Sequence, residues 1–246
     1  MSSLLKSYLA EKLVLIPGGT VIMRNFSDEQ KWISSNSKIS IPGRKNNLKE
    51  TSQEIEVKPF QLLSIPVTND LYDFVVGESK VFSNNCSPVI DVSWNDAINF
   101  CNLLSEIMGL TSCYIADIHT GEVHCDWEKD GFRLPAEAEW QHACFVGSRE
   151  YQYGKLEDIA WYQENSNGRI HNVGEKTPNQ WGVYDMLGNV WEWCWDLYDE
   201  KHYGAYRTFR GGSWAEPSRS CGATARRRSH PSFKIDDLGF RIAKSI

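Results

Sequence analysis

Apolar residues recur at helical spacing in four segments of the chain. In residues 93–110, Ser93 and Asp96 have the spacing of a capping box, and the apolar residues after them fall on one helical face. Residues 135–142 begin with a proline and carry two glutamates in the first turn, which suits a helix N-terminus. The helices that we predict are Ser2–Lys12, Asn69–Val76, 93–110 and 135–142.

The remaining pattern favours short strands and loops. Leu13–Ile16 is an apolar run that ends at Pro17, and residues 54–63 alternate between apolar and polar, so both segments predict strands. Residues 27–51 are rich in Ser, Asn and Lys and predict an exposed loop. From residue 151 to 246, Gly, Asn, Pro and Trp recur at close intervals, which predicts irregular structure wrapped on a small core.

The composition is that of a globular protein. The chain has 246 residues, of which 41% are apolar and 24% charged, and it is long enough for a full core in one domain. Ten tryptophans indicate many irregular segments held by buried aromatic rings. Because no linker or repeat is visible, we divide the chain only into an N-terminal helix at 1–12 and one domain at 13–246.

Charge and hydropathy exclude two classes of partner. The net charge of −6 argues against nucleic acid, which needs a basic face. No stretch approaches the ~18 apolar residues of a membrane span, and Leu13–Ile16 is too short for a signal-peptide core. We therefore expect a cytoplasmic protein from the chain as given, or a surface or secreted one if a leader was removed.

The seven cysteines do not form a recognisable framework. Their number is odd and no CxxC occurs, so neither a disulfide scaffold nor a zinc knuckle is predicted. Cys101 and Cys144 lie in or beside helical apolar patterns, and we expect both to be buried free thiols. Cys113 and Cys125 flank a predicted hairpin and could form a disulfide.

Four long motifs occur together in the second half of the chain. They are GFRLPAEAEW (131–140), WGVYDMLGNVWEWCWD (181–196), FRGGSW (209–214) and LGFR (238–241). In this order and spacing they resemble the family of formylglycine-generating enzymes, or sulfatase-modifying factors, from Leu13 to the C-terminus. The resemblance implies an α+β fold: a single-domain C-type-lectin-like fold of the formylglycine-generating-enzyme type, with much irregular structure.

The resemblance also implies an oxidative activity, from which this sequence departs. The family's founding enzymes oxidise a peptide cysteine to formylglycine with O₂ and a copper ion held by two cysteines after the GGS motif. Here Cys221 matches the second cysteine, but Glu216 stands at the first. Because Cu(I) selects soft thiolates over carboxylates, we expect no copper. Cys221 and Ser213 are the catalytic candidates if the protein is an enzyme, and a packed structural thiol is the simpler interpretation of Cys221.

The resemblance further implies a structural calcium site around the GNVWEW segment. Its ligands would be the side chains of Asp185 and Glu192 and the carbonyls of Gly188 and Val190. Such a mixture of carboxylate and backbone oxygens suits Ca²⁺. The alternative is that Asp185 and Glu192 cap turns or pair with arginines.

Residues 215–237 form the candidate ligand surface. In the family this stretch lines the substrate groove, and in the related variable proteins of diversity-generating retroelements it carries the diversified contacts. Here its residues are polar, small and cationic, which suits an acidic or peptide ligand. The residues that we expect to bind ligand are Trp214, Glu216, Arg227, Arg228, His230 and Phe233.

We therefore predict a ligand- or protein-binding module on this scaffold, with a protein or peptide as its partner, that has lost the oxidase chemistry. Such a module could be a variable protein of a diversity-generating retroelement. The alternative is a metal-dependent oxidoreductase of the same superfamily that acts on a peptide or small molecule. It would use Cys221 as the sole thiolate, or Glu216 in a different role.

Overall fold

The structure is a computed structural model that describes residues 2–23, 53–79, 85–147 and 150–246. The α-helices in these ranges are α1 (Ser2–Lys12), α2 (Asn69–Val76), α3 (Trp94–Met108), α4 (Glu137–Phe145), α5 (Leu156–Ile159) and α6 (Glu200–Tyr203). The β-strands are β1 (Leu13–Ile16), β2 (Gly19–Met23), β3 (Gln53–Val57), β4 (Phe60–Leu63), β5 (Tyr114–Ala116), β6 (Val123–Cys125), β7 (Phe132–Arg133), β8 (Trp191–Leu197), β9 (Arg207–Arg210), β10 (Arg226–Ser229), β11 (Leu238–Phe240) and β12 (Ala243–Ser245).

Two four-stranded sheets join segments that are far apart in the sequence. The first has the order β1-β4-β12-β7 and is antiparallel throughout, so both ends of the chain meet in it. The second has the order β10-β9-β8-β11, in which only β11 runs parallel to its neighbour. The pairs β2-β3 and β5-β6 form separate hairpins.

The hydrophobic core consists of two clusters that meet at β8. Helices α1, α2 and α3 contribute to the first cluster, in which Leu5 and Phe100 join Trp193. Helix α4 contributes to the second, in which Trp140 joins Cys194 and Cys221. Successive residues of a strand point to opposite faces, so Trp193 and Cys194 enter different clusters.

Three of the four predicted helices are confirmed. Ser2–Lys12 and Asn69–Val76 have the predicted bounds. In α3, Ser93 Oγ accepts a hydrogen bond from the Asp96 amide at 3.1 Å, and Asp96 Oδ2 accepts one from the Ser93 amide at 2.9 Å, so the predicted capping box forms. The helix ends at Gly109, whose φ of 71° is in the left-handed region that favours glycine.

The fourth helix and the second strand differ from their predicted bounds. Residues 135–142 were predicted as a helix, but α4 begins at Glu137 and continues to Phe145, because its last turn is still buried. Residues 54–63 were predicted as one strand, but they form the ends of two, β3 and β4, which belong to different sheets. Pro59 lies between them and has no amide to donate to a ladder.

The expectation of irregular structure after residue 151 was wrong in part, because this segment supplies the whole second sheet. In β8 the sequence WEWCWDL alternates large apolar residues with Glu192, Cys194 and Asp196, a strand pattern that the sequence analysis did not use. The loop predicted at 27–51 lies outside the described residues. In the described part of the chain, no helix is long and apolar enough to cross a membrane.

All seven cysteines are free thiols, and the pairing considered for Cys113 and Cys125 does not occur. The predicted hairpin does form, but its register places Cys125 opposite Tyr114 rather than opposite Cys113. Cys101 and Cys144 are buried free thiols, as predicted.

A buried ion pair between Arg241 and Glu192 joins the two halves of the fold. Arg241 donates from Nε and Nη2 to the two carboxylate oxygens at 2.7 and 2.6 Å, and both side chains are almost completely buried. Trp140 Nε1 of α4 donates to the same carboxylate at 2.7 Å. Arg241 also donates to the carbonyls of Leu63 at 3.1 Å and Tyr184 at 2.9 Å, so one guanidinium contacts three segments.

Replacing Arg241 with methionine should strongly destabilise the protein, because the buried Glu192 carboxylate would lose its charged partner. Breaking a buried pair on one side typically costs about 3–5 kcal/mol of unfolding free energy. The control Lys129→Met breaks an exposed pair with Asp126, 3.8 Å apart, and should cost less than about 1 kcal/mol. Urea denaturation measures both losses, and equal losses would contradict the role assigned to Arg241.

Candidate functional site

Strand β9 is followed by a glycine pair that determines the path of the backbone into Ser213. Gly211 and Gly212 have φ values of 101° and 83°, which side chains other than glycine rarely adopt. A Cβ atom on Gly212 would lie 2.7 Å from Cys221 Sγ. The GGSW motif therefore requires glycine both for its backbone conformation and for its close approach to Cys221.

The thiol of Cys221 has no access to solvent. The residue is fully buried, and its Sγ lies 4.0 Å from the carbonyl oxygen of Ser213. Burial, with the carboxylates of Glu216 and Glu164 nearby, raises its pKa to about 12. The raised pKa favours the protonated thiol at neutral pH and makes Cys221 a poor nucleophile.

The Ser213 hydroxyl is engaged by an acidic residue rather than by Cys221. It donates a hydrogen bond to Asp237 Oδ2 at 2.6 Å, and Ser213 is fully buried. Burial raises the pKa of Asp237 above its usual value. Asp237 was not singled out from the sequence, although it directly precedes the LGFR motif.

Glu216 forms an ion pair with Arg227. The two guanidinium nitrogens of Arg227 lie 2.7 and 2.8 Å from the Glu216 carboxylate, a bidentate arrangement. The guanidinium carbon lies 5.1 Å from the centroid of the Trp191 ring. Arg227 is half exposed and Glu216 is only 12% exposed, so the arginine is the part of this pair that a ligand can reach.

These groups do not fit a Cu(I) ion. The first copper position carries a carboxylate that is already bound by Arg227, and the second carries a buried, protonated thiol. Soft thiolate pairs are what Cu(I) selects. Within the described ranges, no cluster of three or more His, Cys, Asp or Glu side chains could hold a metal ion.

Strand β10 places the two candidate arginines on opposite faces. Arg227 faces Trp191 and Glu216, whereas Arg228 lies over Tyr203 and Tyr198, with its guanidinium carbon 3.6 and 4.8 Å from the ring centroids. Neighbouring residues of a strand alternate in this way. The predicted ligand residues are therefore not one flat patch but wrap around an edge strand of the second sheet.

Three tyrosines that the sequence analysis missed extend this surface. Tyr203 stacks with Tyr206 at a centroid distance of 6.3 Å, and the His230 ring meets Tyr206 edge-on at 6.2 Å. Tyr203 also contacts Tyr198, edge to face at 5.6 Å. The only signal in the sequence was the presence of three tyrosines within residues 198–206, between two motifs.

The two remaining ligand candidates differ in exposure. Phe233 is 39% exposed and follows His230 in a turn closed by a 2.9 Å backbone hydrogen bond. Trp214 is half-buried, and its backbone is held by Asn189 and Ser166 at 2.9 Å each. Phe233 therefore presents an apolar ring to solvent, whereas Trp214 mainly supports the groove.

Arg226, the first residue of β10, has a structural role. It donates from Nε and Nη2 to the two carboxylate oxygens of Glu137 at 2.7 Å each. Arg210 Nη1 donates to the same carboxylate at 2.7 Å, so the first residue of α4 is tied to both β9 and β10.

The residues implied for calcium fit only in part. Glu192 is not free, because both its oxygens accept hydrogen bonds from Arg241. Asp185 is a better candidate: its Oδ2 accepts the Gly174 amide at 2.6 Å, while its buried Oδ1 has no partner. Gly188 and Val190 lie in the segment between them. Glu192 is thus engaged in an ion pair, and calcium binding by Asp185, Gly188, Val190 and Glu192 stays a prediction.

Together, the fold and the site define a C-type-lectin-like scaffold of the formylglycine-generating-enzyme type in which the copper pair is incomplete. The chain belongs to the sulfatase-modifying factor family. The family model described as the "Sulfatase-modifying factor enzyme 1-like domain" matches residues 5–246, which include most of α1.

The relatives include both enzymes and proteins with other names. The chain is 25% identical over 233 residues to "Chaperone protein LppX" of Paenibacillus barcinonensis, a match that covers 79% of this chain and 83% of that protein. It is 28% identical over 198 residues to the formylglycine-generating enzyme of Mus musculus, covering 68% of this chain and 46% of the enzyme. The matched part thus spans less than half of the mouse enzyme.

Among solved structures, the chain is similar to Treponema denticola variable protein 1. The two share 26% identity and superpose with a TM-score of 0.79, and the match covers 95% of each chain. The likeness therefore extends over nearly the whole of both chains.

Changing Glu216 to cysteine should restore the ability to bind Cu(I), because it supplies the missing thiolate next to Cys221. We expect wild type to bind no stoichiometric Cu(I) and Glu216→Cys to gain it. The double variant Glu216→Cys/Cys221→Ser should lose it again. Competition with a chromogenic Cu(I) chelator measures all three proteins. Stoichiometric copper in wild type that Cys221→Ser abolishes would contradict the assignment of Cys221.

Replacing Asp185 with asparagine should stabilise the protein at neutral pH. Burial raises the pKa of Asp185 to about 6 from its ordinary value of 3.8, so the folded state binds this proton more tightly than the unfolded state. The protonated Asp185 carboxyl therefore stabilises the folded state below about pH 4, and this stabilisation is lost as the pH rises through about 6. The shift corresponds to a gain of up to about 3 kcal/mol for the variant at pH 7 and almost none at pH 4.

Thermal unfolding at both pH values, in chelator and in calcium, measures this effect. If calcium binds at Asp185, it should raise the melting temperature of wild type and leave Asp185→Asn unchanged. A variant that is less stable than wild type at pH 7 in chelator would show that the carboxylate stabilises the fold without a metal.

Proposed function

We propose that this protein is a ligand-binding module and that the surface around β10 binds a protein or peptide. The proposal rests on a contrast within residues 215–237. The thiol of Cys221 is buried and protonated, whereas Arg227, His230 and Phe233 present charge and an aromatic ring to solvent.

The chemistry of this surface suits a protein partner. Tyrosine and arginine are the side chains that most often dominate binding energy at protein interfaces. Here three tyrosines lie together beside β10, and the guanidinium of Arg228 packs on two of their rings, Tyr198 and Tyr203. Edge strands with such side chains offer both backbone and side-chain contacts to a ligand.

The comparisons point in the same direction. A relative that matches 79% of this chain is named a chaperone, and a similar solved structure is named a variable protein. The narrower proposal is that residues 215–237 carry the diversified contacts of a variable protein from a diversity-generating retroelement. In that case the variation would lie between the GGSW and LGFR motifs, on a constant framework.

Selection from a phage-displayed peptide library on the immobilised protein tests the proposal. We expect the selected peptides to bind wild type and to lose about tenfold in affinity on Phe233→Ala, because an exposed aromatic contact is removed. The matched control is Ile118→Ala, which truncates another exposed apolar residue, 90% exposed, on the β5-β6 hairpin. Its affinity should be unchanged.

Two results would contradict the proposal. The first is that the enriched peptides bind Phe233→Ala as well as they bind wild type. The second is that no peptide is enriched, while wild type consumes O₂ with a thiol peptide and Cys221→Ser does not. The second result would favour the oxidoreductase alternative.

A further inference from the structure

Arg228 differs from its neighbours on β10 because it has no acidic partner. Arg226 is paired with Glu137 and Arg227 with Glu216. No carboxylate in the described part of the chain lies within ion-pair distance of Arg228, which is half-buried between Tyr198 and Tyr203. A guanidinium that is partly removed from water and lacks a counter-charge is costly to keep.

A second polar group with no partner lies beside it. Thr208 is the register partner of Arg228 across β9 and β10, so the two side chains share a face of the sheet. Thr208 is fully buried, and its Oγ1 has no hydrogen-bond partner. Arg228 Nε is likewise buried and without a partner. Two groups that can donate hydrogen bonds therefore lie next to each other, and neither has found an acceptor.

Tyr203 covers the guanidinium of Arg228, with its ring centroid 3.6 Å from the guanidinium carbon, and is 40% exposed. It ends α6, a helix of four residues of which none is buried. Its ring contacts are with the partly exposed side chains of Tyr198, Tyr206 and Arg228. A ligand would therefore reach Arg228 by displacing this one surface ring.

We propose that Arg228 and Thr208, flanked by Tyr198 and Tyr203, form a subsite for a carboxylate side chain of an acidic peptide segment in the ligand. A carboxylate oxygen is the acceptor that both donors lack, and it also supplies the missing negative charge. The tyrosine rings would hold the adjacent part of the peptide. This inference rests on the proposed function, and it assigns the class of ligand.

The net negative charge of the protein distinguishes a specific subsite from general electrostatic attraction. A chain with a net charge of −6 repels acidic peptides as a whole, so attraction must come from a local site. General electrostatic attraction would be weakened equally by the loss of any exposed arginine. A specific subsite responds only to Arg228 and Thr208.

The probe is a fluorescein-labelled peptide of alternating glutamate and glycine, compared with its glutamine counterpart by fluorescence anisotropy at low ionic strength. We expect wild type to bind the glutamate peptide at least about tenfold more tightly than the glutamine peptide. Arg228→Gln and Thr208→Val should each weaken binding about tenfold, because truncating one partner of a close charge contact has an effect of this size or larger.

Two control variants separate a subsite from simple charge. Arg169→Gln removes the same charge from an exposed arginine outside residues 215–237 and should bind like wild type. Arg228→Lys keeps the charge but loses the Nε donor and should still weaken binding. Thermal unfolding of each variant confirms that the fold is retained.

The outcomes distinguish this inference from the proposed function. Failure of wild type to prefer the glutamate peptide, or equal losses in Arg228→Gln and Arg169→Gln, would overturn the carboxylate subsite. If library-selected peptides still depend on Phe233 in that case, the binding function stands without the subsite. If no peptide binds at all, both fail together.

Discussion

The position of the whole site depends on the buried ion pair between Arg241 and Glu192. The arginine follows β11 and the glutamate lies in β8, and their pair also engages α4 through Trp140 and β4 through the Leu63 carbonyl. A buried pair of this kind is stable only when nearly every donor and acceptor is satisfied. The geometry therefore leaves few alternatives for how the two sheets and α4 can be arranged.

A second charged cluster connects α4 to the edge of the second sheet. Glu137, the first residue of α4, accepts hydrogen bonds from Arg210 of β9 and Arg226 of β10. Its amide in turn donates to Asp196 Oδ2. Because the Glu137 carboxylate binds the Arg226 side chain, the register of β10 is fixed. Arg227 and Arg228 therefore project to opposite sides of the strand. The ion pairs of Glu137 thus determine which side chains of β10 are exposed.

This protein retains the family scaffold, although the residues at the copper position differ from those of the enzymes. The framework motifs are present and make the contacts that hold the fold, while the copper position is occupied by an ion pair, Glu216 with Arg227. The same segment that positions a thiolate pair in the enzymes here presents arginines and aromatic rings. A scaffold with a rigid core and a variable connection between GGSW and LGFR can carry either chemistry.

Local sequence determined the parts of the structure in which neighbouring residues interact. The capping box of α3 depends on contacts within a few residues, and motif order was sufficient to predict the family and the fold. Contacts between distant segments were not predictable: the pairing of Glu192 with Arg241, the division of residues 54–63 between two sheets, and the tyrosines that cover Arg228. Each depends on how distant segments pack, and strand pairing joins residues as far apart as Phe60 and Ser245. The sequence therefore determined which scaffold forms, and only the tertiary structure decided which side chains around β10 are paired and which are exposed.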